Sequence, residues 1–284
     1  MSNITGGPKR DVLKGTSGPD NINGLDGNDD LFGRGGNDGL FGGLGNDLLD
    51  GAAGSDVLNG GGGNDKYFGG AGRDYFTLSD PGKNAVDGGS GVDTVYFNFF
   101  QSGVDLILAR DGHGKGGGGA SGDKFTDVES IWGSDYADNL RPAKGGTAYG
   151  NPGDDMLYDA KGKNSREILD GGDGNDTLVG HAGGGGDYFA VHRALGVDTI
   201  YGFAPGDGDK LYIDQFEFGD HVSVTNAANN QATGSGPQFV YETDAHTLWF
   251  DYDGAGSGSP VGIARLPDFG GTLLASDFAF FTGF

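Results

Sequence analysis

Seven aspartates recur at nine-residue intervals: Asp20, Asp29, Asp38, Asp47, Asp56, Asp65 and Asp74. Asp is short and carries two hard carboxylate oxygens, which suits a tight turn that holds a divalent cation. Asp93, Asp155 and Asp176 stand in the same local pattern. These ten residues are the candidate metal ligands. Other chemistry is hard to find. The chain has no Cys, so it can build neither a thiolate metal site nor a disulfide framework. The five His (His113, His181, His192, His221 and His246) are scattered without metal-ligand spacing. His192 stands beside Arg193 and reads as a surface pair rather than an anion site. There is no H-E-x-x-H and no G-x-S-x-G, so the zinc-protease and lipase signatures are both missing. No catalytic residue is assigned, and no enzyme is expected. DYDGAG at 251–256 begins like an EF-hand loop, but Ala255 stands where a third ligand belongs and no Glu follows at position twelve. A hairpin turn is the better reading.

The elements that must position the aspartates are equally regular. From Gly15 to Thr77 the chain reads GTSGPDNIN, GLDGNDDLF, GRGGNDGLF, GGLGNDLLD, GAAGSDVLN, GGGGNDKYF and GGAGRDYFT. Positions one and four are always Gly, and position six is always Asp. Position eight is always apolar: Ile22, Leu31, Leu40, Leu49, Leu58, Tyr67 and Phe76. Gly permits a six-residue turn, and three residues then extend with only the middle one inward. Two units make one coil, and coils stack as parallel strands about 4.8 Å apart. One inward residue per unit makes a thin core, which cannot offset the ordering entropy of so many Gly. Stacked carboxylates would repel each other without a counterion. A cation between units n and n+2 resolves both problems. It pairs Asp20 with Asp38, Asp29 with Asp47, Asp38 with Asp56, Asp47 with Asp65, and Asp56 with Asp74. Turn carbonyls complete each site, and the role expected of the cations is to hold the scaffold. Asn at position five is expected to brace the loop by side-chain hydrogen bonds.

The nonapeptide G-G-x-G-x-D-x-U-x resembles the calcium-binding repeat of RTX proteins. That resemblance implies an all-β fold: a calcium-bound parallel β-roll (RTX solenoid) in two blocks with a C-terminal β cap. It implies Ca2+ as the cofactor, about five ions in the first block by the pairing above, and export by type I secretion machinery.

The chain divides accordingly into a lead-in (1–14), the seven-repeat roll (15–77), a connector with one isolated repeat (78–132), a second, degenerate block (133–191), and a β cap with the secretion signal (192–284). The isolated repeat is GGSGVDTVY, from Gly88 to Tyr96. Strand-like runs follow at Val95–Phe100 and Val104–Ala109, and the four Gly of 116–119 read as a loop. The second block holds GSDYADNLR, GNPGDDMLY, GKNSREILD and GGDGNDTLV. Glu167 replaces Asp in the third of these and Tyr136 replaces a Gly in the first. QFVYETDAHTLWFDYDGAGSGSPVGIARL alternates as a β-hairpin does. LLASDFAFFTGF resembles a type I export signal, and the amino terminus has no apolar h-region of a Sec leader.

Composition narrows the partners. With 41 acidic and 18 basic residues the formal charge is −23, which excludes nucleic acid. All the acids but Glu129, Glu167, Glu217 and Glu242 are Asp. Gly accounts for 62 of 284 residues, which argues against helices, while 11% aromatic content argues against disorder. No apolar run approaches a membrane span. The layout is also similar to rhizobial RTX proteins that promote legume nodulation. This implies calcium-dependent action on the host plasma membrane, as a cation-permeable pore, with host lipid as a partner. Only the carboxy-terminal half is expected to offer longer strands for such insertion. The alternative is a calcium-dependent extracellular adhesin. Outward Phe32, Phe41 and Phe68 would favour membrane; Trp132, Trp249 and the Tyr clusters would favour the adhesin.

Overall fold

The apolar residue at position eight turns inward in every one of the seven repeats. Ile22, Leu31, Leu40, Leu49, Leu58 and Phe76 have no exposed surface, and Tyr67 has almost none. Gly on both sides of each triplet lets the chain bend to the opposite sheet. The computed structural model describes residues 1–79, 81–160, 162, 165–181, 183, 185–193, 196–219, 223–254, 256 and 258–281. Of the residues singled out above, His221, Ala255 and 282–284 lie outside these, as does part of the GKNSREILD unit. The chain forms two units, Met1–Asn151 and Pro152–Phe284, and both are all-β.

In the first unit, alternate repeats contribute to alternate sheets. One sheet runs Ser2–Thr5, Asp20–Asp26, Gly39–Leu44, Val57–Gly62, Tyr75–Thr77, Thr94–Tyr96, Ser130–Trp132 and Thr147–Tyr149, every pair parallel. The other begins Val12–Lys14, Asp30–Phe32, Leu48–Ala53, Lys66–Gly72, Ala85–Gly91 and Lys124–Thr126, again parallel. Register keeps like positions together, so Ile22 faces Leu40 and Leu40 faces Leu58.

Two features differ from the sequence reading. The Gly run that reads as a loop is largely a strand. Gly114–Gly118 pairs antiparallel with both Val104–Ile107 and Lys124–Thr126. Small residues suit that place, because a Cβ on Gly116 would strike the Ala120 carbonyl. Among the described residues the longest strands, seven residues each, are Asp20–Asp26, Lys66–Gly72 and Ala85–Gly91. They lie in the first unit rather than the carboxy-terminal half, because the Gly-rich turns between triplets also pair with their equivalents one coil away.

In the second unit, Ile168–Asp170, Tyr188–Val191, Lys210–Asp214 and Phe278–Phe281 form one parallel sheet. The last of these lies in the segment that resembles an export signal, of which residues 273–281 are described. The other sheet starts Met156–Tyr158, Thr177–Val179 and Asp198–Tyr201. It continues through Val261–Arg265, Thr247–Asp251, Gln238–Glu242 and Val224–Ala227. The alternating segment thus forms the antiparallel hairpin expected of it, extended by a third antiparallel strand. Phe239 packs against Phe250 and Phe278 at ring distances of 5.1 and 4.8 Å. This aromatic cluster adds to the core where the carboxy-terminal strands of the unit meet.

Candidate metal centres

Each repeat aspartate ends a Gly turn with its carboxylate buried beside the turn. The ten candidate ligands are at most 3% exposed. Their neighbours are fixed by the coil. The backbone N–H of Asp20 donates to Asp38 Oδ1, Asp29 to Asp47, Asp38 to Asp56, Asp47 to Asp65 and Asp56 to Asp74, at 2.7–2.9 Å. The structure therefore joins the five aspartate pairs of units n and n+2. Asp74 N–H continues to Asp93 Oδ1 at 2.8 Å, and Asp155 N–H donates to Asp176 Oδ1 at 2.8 Å.

The second oxygen behaves differently. At Asp20, Oδ2 accepts the Thr16 N–H at 2.5 Å, and such bonds hold that carboxyl down at about 2. Among the described residues, Oδ2 of Asp29, Asp38, Asp47, Asp56, Asp74, Asp93 and Asp176 is buried without a hydrogen-bond partner. A buried, unpartnered carboxylate oxygen is costly and takes up either a proton or a cation. Burial accordingly pushes Asp56 up to about 6 and Asp93 up to about 7, with neighbouring carboxylates adding to the shift. Asp38, Asp47 and Asp74 are raised for the same first reason.

The turn glycines show what else faces these oxygens. A Cβ on Gly42 would collide with Asp47 Oδ2 and lie 2.6 Å from the Gly60 carbonyl oxygen. The same arrangement recurs at Gly24, between Asp29 Oδ2 and the Gly42 carbonyl, and at Gly69, between Asp74 Oδ2 and the Gly88 carbonyl. A carboxylate oxygen of one turn and a carbonyl oxygen of the next coil on that edge thus approach one space that a methyl would fill. The donors are all hard oxygens, with no sulfur or imidazole among them, which fits a calcium-class cation. Among the described residues no group of three His, Asp or Glu side chains is gathered to hold an ion. Any cation here would draw on backbone carbonyls as well as carboxylates.

Position five carries a ladder of its own. Asn28 Oδ1 accepts the Asn46 N–H and Asn46 Oδ1 accepts the Asn64 N–H, each at 2.8 Å; Asn64 Oδ1 accepts the Lys83 N–H, also at 2.8 Å. These side chains brace the turn one coil away rather than their own.

Several residues of the same columns escaped the motif search. Asp65 N–H donates to Asn84 Oδ1 at 2.9 Å, and Asn84 N–H donates to Asp123 Oδ1 at 2.7 Å. Asp93 N–H donates to Glu129 Oε2 at 2.9 Å. The signal at Asn84 was present as Gly82-Lys83-Asn84-Ala85-Val86, a unit with Asn at position six and a nineteen-residue step. Asp123 gave none, because an inserted hairpin separates it from Asn84 by 39 residues. Asp138 accepts the Ser134 and Val104 N–H groups and the Ser134 hydroxyl. In the second unit, the N–H groups of Asp176 and Asp187 donate to Oδ1 of Asp198 and Asp209, at 3.0 and 2.9 Å.

His192 is not a surface residue. Its side chain is 14% exposed, with Nε2 2.9 Å from Asp170 Oδ1 and Nδ1 3.7 Å from Glu217 Oε1. Burial alone would lower its pKa, but the Asp170 hydrogen bond and the charges of Asp170, Glu217 and Asp198 outweigh it, holding the imidazolium to about 9. Sequence adjacency to Arg193 had suggested otherwise; the coil brings it onto Asp170, 22 residues earlier.

The family described as the RTX calcium-binding nonapeptide repeat (4 copies) matches residues 5–40, 41–76 and 149–187. No curated protein matches the chain. Among solved structures, the extracellular lipase LipA from Serratia marcescens aligns over 97% of this chain and 39% of its own, at 16% identity and a TM-score of 0.31. This chain therefore spans about two-fifths of that protein's length.

Proposed function

The chain is an RTX calcium-binding repeat protein, and from that premise we propose that it is an exported, non-catalytic roll that folds when calcium reaches its aspartate columns. The observation that carries this reading is the series of buried Oδ2 atoms without hydrogen-bond partners among the described residues, at Asp29, Asp38, Asp47, Asp56, Asp74, Asp93 and Asp176. Asp20, Asp29, Asp38, Asp47, Asp56, Asp65 and Asp74 would hold the ions in the first roll, and Asp93, Asp155 and Asp176 beyond it. Bound calcium supplies the positive charge that lets these carboxylates stay ionised while buried. The chain's own groups do the rest. From Asp29 to Asp74, each repeat Asp Oδ1 accepts the N–H of the aspartate eighteen residues earlier and so sets the stacking distance. Position-one glycines leave room between carboxylate and carbonyl.

Compartment follows from affinity. Extracellular calcium modules bind at about 10⁻⁴–10⁻³ M, above cytosolic supply. A chain with so thin a core stays open inside the cell, which suits threading through a type I exporter, and it orders outside. Far-UV circular dichroism tests this. A coil spectrum in chelator that becomes β-rich as calcium is added supports it, and a β-rich spectrum in chelator at neutral pH contradicts it.

The particular likeness to rhizobial nodulation protein O finds no support in the comparisons, since no curated protein matches. A pore in a host plasma membrane is also the weaker of the two activities. Barrel strands need about 9–11 residues, while the longest among the described residues have seven. No described helix is long and apolar enough to cross a membrane. The observation favouring a calcium-dependent adhesin is a continuous aromatic row, Tyr75, Tyr96, Trp132 and Tyr149, on the outside of one sheet. Retention on surface polysaccharide without dye release from lipid vesicles supports the adhesin; dye release would restore the pore.

A further inference from the structure

One sheet of the first unit has an outer face without charge. In each of its eight strands, from Ser2–Thr5 to Thr147–Tyr149, two residues flank the inward apolar one on the outer face. These flanking residues are Asn, Thr, Ser, Gly, Val, Phe, Tyr and Trp, and none is ionisable at neutral pH; the exposed Asp26 of strand Asp20–Asp26 lies past them, beyond Leu25. The protein has 59 charged residues, 41 acidic and 18 basic, so the exclusion is specific to this face. The equivalent positions of the other sheet carry Lys14, Asp30, Asp50, Lys66, Asp87 and Lys124.

A band of side chains crosses the uncharged face: Phe41, Val57, Tyr75, Tyr96, Trp132 and Tyr149. Val57 stands beside Tyr75 in register, and Trp132 stands between Tyr96 and Tyr149. Ring centroids along the band are 6.0, 5.0 and 4.5 Å apart. Phe41 is 41% exposed and Val57 42%, and the four following rings are half-buried. Asn23, Asn59 and Thr77 line the same face.

Aromatic rings offer apolar contact to the C–H face of a pyranose, while amides and hydroxyls exchange hydrogen bonds with its hydroxyl groups. The rings from Tyr75 to Tyr149 span three strand spacings, roughly 14 Å at about 4.8 Å each. That length suits several sugars of an extended chain rather than one. The formal charge of −23, offset in part but not reversed by about five Ca2+ in the first block, repels uronates, sulfated glycans and anionic lipid headgroups. A bilayer interior would leave the Asn59 amide without hydrogen-bond partners. We propose that this face binds an extended, uncharged polysaccharide. The proposal deepens the adhesin reading and rests on the calcium-folded roll, since the face exists only once the strands stack.

The test uses the full chain in calcium, run through native gels containing hydroxyethylcellulose, galactomannan or polygalacturonate. Circular dichroism is recorded on the same samples. The neutral polymers are expected to retard the protein, and Trp132→Ala and Tyr96→Ala to weaken retention about tenfold or more. Asn59→Asp keeps every ring and adds one charge to the face, and it is expected to weaken retention as well. In a Trp249→Phe protein, Trp132 is the sole tryptophan, and its emission should shift as galactomannan is titrated. A folded roll that neither neutral polymer retards overturns the proposal. So does retardation by polygalacturonate alone, stronger binding to phosphatidylcholine vesicles, or retention indifferent to all three variants. A coil spectrum in calcium contradicts the calcium reading itself, and the proposal falls with it.

Discussion

The backbone N–H of Asp38 donates to Asp56 Oδ1 at 2.7 Å, yet Asp56 Oδ2 is buried with no hydrogen-bond partner among the described residues. One carboxylate thus carries two roles. Its first oxygen joins consecutive coils, and its second requires a charge from elsewhere. Asp56→Asn keeps the joining oxygen and removes the charge. The calcium-free chain should be no less stable than before, while the calcium concentration at half-folding should rise several-fold or more, matching the roughly 1–3 kcal/mol of a lost charged partner. Calcium-titrated circular dichroism checks it, and an unchanged midpoint would remove Asp56 from the cation sites.

Protons should compete with calcium for the same oxygens. Burial raises Asp56 to about 6 and Asp93 to about 7, above the ordinary 3.8. The calcium-free folded state therefore binds more protons than the unfolded chain between those values. Stability from these groups is present below pH 4 and is lost as pH rises through 6 to 7. Without calcium, β content at pH 4 should exceed that at pH 7.5. Equal spectra at both values in chelator would show that the carboxylates are not the opposing charge.

Gly42 and Gly18 make a matched pair. A Cβ on Gly42 would fill the space between Asp47 Oδ2 and the Gly60 carbonyl, whereas nothing lies within 4 Å of one on Gly18. Gly42→Ala should weaken calcium-induced folding strongly, and Gly18→Ala should leave the titration within about 0.5 kcal/mol of wild type. Similar effects from both substitutions would mean that the cradle beside Asp47 has no special role.

In the second unit, His192 places an internal positive charge beside Asp170 and Glu217. Its folded pKa of about 9 exceeds the ordinary 6.5 because Asp170 and Glu217 flank it. Its stabilisation is complete below pH 6.5 and is lost as pH rises through 9. His192→Gln should lower the calcium-loaded melting temperature clearly at pH 6 and little at pH 10. The same difference at both values would show that packing, not charge, fixes the imidazole.

Much of the first unit was readable from spacing. Gly at positions one and four, Asp at six and an apolar residue at eight define turn, column and core, and Leu31, Leu40 and Leu49 are buried accordingly. Legibility ended where the period broke. The hairpin made by Val104–Ile107 and Gly114–Gly118 is inserted between Asn84 and Asp123, so their contact has no sequence periodicity. The four consecutive Gly hid a strand because local propensity favours a loop, and cross-strand pairing overrode it. His192 was misread for a related reason. Its partners lie 22 and 25 residues away, on other coils and elements. The uncharged face became visible only when register placed Tyr96, Trp132 and Tyr149 in one row.

The central claim is that cations lie along the aspartate columns between successive coils. Crystals grown in calcium, with anomalous diffraction recorded at long wavelength, test it most directly. Anomalous peaks are expected beside Oδ2 of Asp29, Asp38, Asp47, Asp56 and Asp74, within reach of the adjoining Gly carbonyls. The same roll with no anomalous peak along either column would contradict it.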